Sequence, residues 1–131
     1  MRQTWLIVAL AAAVALLILP LWLAGTPAMP DYPARLAGFY LIGGGAASAP
    51  LSGFYGIRWA AIPNLAGEIA VPFLARFMAL DVAARLFLSV GVAMWVAAPA
   101  LIQRALYGRV GVTALAASFF AWNVNFMWGF F

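Results

Sequence analysis

The sequence predicts an all-α integral membrane protein: three transmembrane helices, with an external loop that carries two short interfacial helices. Three observations carry this reading. Hydrophobic residues make up 68% of the chain and charged residues 8%, with a mean hydropathy of +1.06. One soluble core cannot bury that much apolar surface. Uncharged or nearly uncharged apolar runs recur at bilayer-crossing length, and the chain between the first two of them is broken by Gly and Pro. The 131 residues are read as a single membrane domain, 1–131.

The first span is expected over residues 5–24. Trp5 to Ala24 holds no charge, and at about 1.5 Å rise per residue it reaches the roughly 30 Å of the hydrocarbon core. Arg2 precedes it, as a basic residue precedes a secretory signal. The apolar run is longer than the usual signal region and "LAGTPAMP" offers no clean A-x-A site, so an uncleaved anchor is expected.

Residues 25–80 form the expected external loop. "PDYPARLAGFY", residues 30–40, opens it: Asp31 stands where it can cap a helix starting near Pro33, and that helix should fail at the glycines 43–45. After the bend "APLSGFYGIRWAAIP", Asn64 is placed to cap a second helix through "LAGEIAVPFLARF", with Pro72 kinking it. Tyr32, Tyr40, Tyr55 and Trp59 are expected at headgroup level.

The second and third spans are expected over 81–106 and 110–131, joined tightly by "YGR". Arg2 and the Arg104 to Arg109 region would share the cytoplasmic side by the positive-inside rule, although Arg35, Arg58, Arg76 and Arg85 then fall at the outer boundary. The net charge of +4 comes from seven Arg scattered singly. That distribution argues against a nucleic-acid partner and fits helix-end anchors. With no Cys and no His, the commonest ligands for zinc or haem iron are missing, so no cofactor and no metal is expected.

Asp31 has two readings. In the first, Asp31 with Arg35, like Asp81 with Arg85, is an acid and base at i and i+4 near a helix start, where the carboxylate meets the positive helix end. The repetition of the pattern favours this reading. In the second, an acid just beyond the membrane is where a transferase using a lipid-linked donor holds a metal or deprotonates its acceptor.

The third span carries the packing signal. Gly111, Ala114, Ser118, Ala121 and Asn125 recur at alternating threes and fours, a stripe of small residues that lets another helix approach closely. Leu115, Phe119, Trp122 and Phe126 make an aromatic stripe on the other side. Ala84, Gly91 and Ala98, at sevens, give the second span a sparser counterpart. One stripe can pack the chain's own helices and the other a partner, and the sequence leaves open which does which.

Three stretches, "LPLWLAGTPAMPDYPARLAGFY", "YGIRWAAIPNLAGEIAVPFLARFMALDVAARLFL" and "FFAWNVNFMWGFF", resemble the N-terminal part of bacterial polytopic membrane proteins of glycosyltransferase type C. Those proteins share an acid-Tyr-Pro stretch after the first span, a Pro-Asn-Leu helix start and an aromatic, Asn-containing third span. The resemblance implies that Asp31 is the catalytic-loop acid. The family pattern has Asn-His after the proline, where this sequence has Ala34 and Arg35, so the imidazole is lost. The further spans that hold a polyprenyl-phosphate sugar are also missing from these residues.

The expectation is therefore a non-catalytic accessory or structural subunit of a bacterial inner membrane, with its N-terminus in the cytoplasm. Its partners would be other integral membrane subunits and lipids, in a larger complex such as a photosynthetic or respiratory assembly. The alternative is a relic of a type C glycosyltransferase that retains lipid-phosphate binding.

Overall fold

A computed structural model describes residues 2–60 and 65–123. All regular structure among them is helical: α1 (Arg2–Leu23), α2 (Tyr32–Ile42), α3 (Leu65–Leu74), α4 (Leu80–Tyr107) and α5 (Thr113–Ser118), with two single 3₁₀ turns at Gly45–Ala47 and Leu51–Gly53. Two of these helices, α1 and α4, are long and apolar enough to cross a membrane.

α1 and α4 pack antiparallel. The end of α1 at Leu21 and Trp22 meets the start of α4 at Arg85 and Ser89. At the far end, Trp5 and Leu6 face Gln103 and Tyr107 across a groove. At 28 residues, α4 is about 42 Å long, roughly 12 Å more than the hydrocarbon core, so both of its charged ends have room to reach the interfaces. It stops at Gly108, whose φ of 68° is the left-handed conformation that lets its N–H close on the Arg104 carbonyl.

α2 begins as the sequence predicts, with Asp31 at the N-cap position and Pro33 in the first turn, and it ends at Gly43. A side chain at Gly45 would overlap the Tyr40 ring and carbonyl, so the chain can fold back there only as glycine. α3 holds Pro72 inside it. Helical turns continue through Phe77, where Phe73 and Phe77 stack edge to face and Arg76 lies over the Phe73 ring. Asn64, its expected cap, lies outside the described residues.

The two short helices pack on each other and on the first half of α4. Tyr32 and Phe39 from α2, Val71 from α3, Ala83, Ala84, Leu88 and Val92 from α4, and Leu21 from α1 make one buried cluster. Tyr40, Tyr55 and Trp59 are more than half exposed, in keeping with a headgroup position, but Tyr32 is 2% exposed and belongs to the core. Its placement among the belt aromatics is corrected: the phenol has a polar partner inside the fold, described below.

Beyond α4 the chain turns back along it. Helix starts at Thr113 rather than Val110, and in the turn before it the Gly111 N–H donates to the Gln103 side chain, 2.7 Å away. After Ser118 the amides of Phe119, Phe120 and Ala121 bond three residues back, tightening the chain into turns. At six residues, α5 spans only about 9 Å. The remainder of the expected third span, 124–131, lies outside the described residues.

Candidate functional site

The most organised site is a polar knot where α1 ends and α4 begins. Every α-helix leaves its last four carbonyls without an intrahelical donor, at the negative end of its dipole. Arg85, one turn into α4, supplies donors to this end of α1. Its Nη1 donates to the carbonyls of Leu21 at 2.6 Å and Ala24 at 2.8 Å, and its Nη2 to that of Gly25 at 2.6 Å. Its Nε donates to Asp81 Oδ2 at 2.6 Å, the one ion pair among the described residues. The planar guanidinium fork has five such donors, and a lysine could not serve four acceptors in this geometry.

Burial makes these bonds necessary. Arg85 is only 7% exposed, and a charge in apolar surroundings persists only when paired and hydrogen-bonded. Asp81 supplies the opposite charge and has a second partner, the Tyr32 hydroxyl, which donates to its Oδ1 at 2.8 Å. Burial, then the bond to Asp81 and its negative charge, push the Tyr32 phenol above its ordinary value. Ser89, one turn beyond Arg85, donates to the Arg85 carbonyl at 2.8 Å and accepts from Trp22 Nε1 at 3.0 Å. No buried side-chain polar atom among the described residues lacks a partner.

The knot ties in the stretch after the first apolar run through its tyrosine and not through its charges, Asp31 and Arg35. Tyr32, in the "PDYPARL" stretch, docks that stretch onto α4 through Asp81. The pairing of Asp81 with Arg85 follows from their spacing. The reach of Arg85 to carbonyls 60 or more residues away does not, and sequence reasoning missed Tyr32, Ser89 and Trp22. An arginine one turn inside an apolar helix is itself a signal, because so costly a group is retained only with dedicated partners.

Asp31 differs from its apparent counterpart. It occupies the N-cap position, but its carboxylate makes no capping bond and no ion pair with Arg35 or any other described residue. Helix α2 starts on Pro33 and on the backbone bond from the Arg35 N–H to the Asp31 carbonyl.

The small-residue stripe turns inward over its described length. Ala114, Ala121 and Ser118 are buried and Gly111 is half-buried, on the side of α5 that meets α4 and α1. Trp95 Nε1 of α4 donates to the Ala117 carbonyl, and Gln103 bonds Thr113 Oγ1. Phe119, on the opposite stripe, is 86% exposed. Trp122 departs from it: its Nε1 donates to the Leu17 carbonyl at 3.2 Å and its ring packs on the core. Asn125 and Phe126 lie outside the described residues.

On α4, Ala84 is buried, whereas Gly91 and Ala98 are exposed. The reason is geometric. Residues at sevens hold one face of α4 to within about 20° per heptad, and at Gly91 an added Cβ would meet nothing within 4 Å, so that face is uncovered there. Along the rest of α4 the core face is Leu88, Val92, Val96 and Ala100.

Comparison with known protein families, with curated proteins and with solved structures finds no match.

Proposed function

We propose that the chain is a non-catalytic membrane subunit that packs by its helices within a larger inner-membrane complex. The observation that carries this reading is the contrast between the two kinds of surface. The polar groups of the α1–α4 junction are spent on holding one helix end against another. The outward faces present large apolar side chains, among them Met94, Leu101 and Ile102 on α4 and Phe119 and Phe120 beyond α5, each more than half exposed. Such faces are covered by lipid or by other membrane helices.

Charge distribution supports an orientation. Asp31, Glu68 and Asp81, the only acids, belong to the end that carries α2 and α3 or to the loop leading to it, together with Arg35, Arg58, Arg76 and Arg85. The other end has Arg2, Arg104 and Arg109 and no acid. The positive-inside rule assigns that end to the cytoplasm and residues 25–80 to the outside.

The second reading, a glycosyltransferase type C relic, draws its support from Asp31, whose carboxylate is uncommitted beside the membrane. The test is extraction from native membranes in mild detergent, followed by mass spectrometry of whatever co-purifies. Co-migration with defined membrane subunits is the expected result. A free chain whose sugar-transfer activity disappears in Asp31→Asn would replace the first reading with the second.

A further inference from the structure

At the acid-free end of the hairpin lies a groove of about 970 Å³, bounded by Trp5 and Leu6 of α1, Gln103 and Tyr107 of α4, and Arg109 and Val112 of the following turn. Its size is at the upper end of the roughly 300–1,000 Å³ of small-molecule pockets. Gln103 is committed internally, its Oε1 to the Gly111 N–H and its Nε2 to Thr113. Arg109 is not: its guanidinium makes no ion pair or side-chain hydrogen bond with any described residue. The nearest acids in sequence, Glu68 and Asp81, belong to the other end of the hairpin.

We propose that this groove binds an anionic phospholipid of the leaflet it faces. The phosphate sits against the Arg109 guanidinium and within reach of the Tyr107 hydroxyl, a charge-assisted pairing that neutralises the one free cation among the described residues of the rim. The glycerol and upper acyl chain lie along Trp5, Leu6 and Val112. Trp5, Tyr107 and Val112 are each more than two-thirds exposed and give the groove apolar walls continuous with the lipid-facing surface of α1. A soluble phosphate would leave those walls uncovered, so the occupant is the lipid and not the free anion. Trp and Tyr at a span end suit a headgroup-level site.

The proposal rests on the reading of the chain as a membrane hairpin, and one experiment separates the two. The full-length chain is reconstituted into phosphatidylcholine vesicles with and without phosphatidylglycerol, floated, then extracted in mild detergent for native mass spectrometry. Flotation with both vesicles and several-fold preferential retention of phosphatidylglycerol is expected. Arg109→Gln should abolish the preference, and so should Val112→Glu, which places a carboxylate on the groove wall. Equal retention of the two lipids, a preference unchanged in both variants, or its complete displacement by inorganic phosphate overturns the site. Failure to float overturns the membrane hairpin itself.

Discussion

Arg85 Nη1 lies 2.6 Å from the carbonyl oxygen of Leu21, so the opening turn of α4 closes the final turn of α1. The contact replaces the water that would solvate the end of an isolated helix. It also fixes which residues of the two helices face each other, and α2 is tied to the same point through Tyr32 and Asp81.

Arg85→Met should therefore be the most damaging single change in the chain. It orphans three carbonyls, at about 1–3 kcal/mol for each one that stays unsatisfied, and removes the counter-charge of Asp81, whose 44% exposed side chain water can still solvate. Arg85→Lys keeps the charge but not the fork and should fall between parent and Arg85→Met. Thermal unfolding in detergent measures the order. A parent-like midpoint for Arg85→Met would show that these carbonyls are satisfied some other way.

Tyr32→Phe removes the hydroxyl donated to Asp81 and should cost about 1.5–3 kcal/mol, the range for a hydrogen bond to a charged group. The pH dependence has a definite sign. A phenol held above its ordinary value of about 10 is protonated in the folded chain where the unfolded chain has begun to ionise. Its contribution is complete below pH 10 and is lost as the pH rises through the folded value. Parent stability should fall with pH above about 10 more steeply than that of Tyr32→Phe. Parallel curves would mean that the phenol is not held in this way.

The topology gives a third expectation. Cysteines introduced at Ser52, in the loop between α2 and α3, and at Tyr107, at the far end of α4, should react with an impermeant label from opposite sides of the membrane. Both positions are exposed on the chain itself. Labelling of both from one side would refute a single α4 crossing between them.

What was legible in the sequence was local. The α1 helix needed only an uncharged run, α2 needed Pro33 and the glycines after it, and α4 needed a second run with Asp81 at its head and Gly108 at its foot. Tyr32 was misjudged because a tyrosine beside an apolar run looks the same whether it faces headgroups or a carboxylate 49 residues away. Gly91 and Ala98 share the spacing of Ala84, but they are exposed where Ala84 is buried. Helix period gives the face of a residue and not what lies opposite. The bond from the Gly111 amide to Gln103, a side chain of the preceding helix, is likewise a contact that spacing does not show.

The last prediction separates internal packing from partner binding on α5 and the turn after it. Ala114 is fully buried and Ala121 is 3% exposed, whereas Phe119 is 86% exposed. Close packing is the chief source of helix association within lipid, where the hydrophobic effect between helices is weak. Ala114→Leu adds bulk at a fully buried position and should lower stability by about 1–3 kcal/mol even in the isolated chain. Phe119→Leu should leave that stability almost unchanged, because its ring touches little of its own chain. Its effect should appear instead in retention within native complexes after detergent extraction, where a partner packed on the ring would release the variant. If Ala114→Leu unfolds like the parent while Phe119→Leu lowers the midpoint of the isolated chain, the inward and outward faces have been assigned the wrong way round.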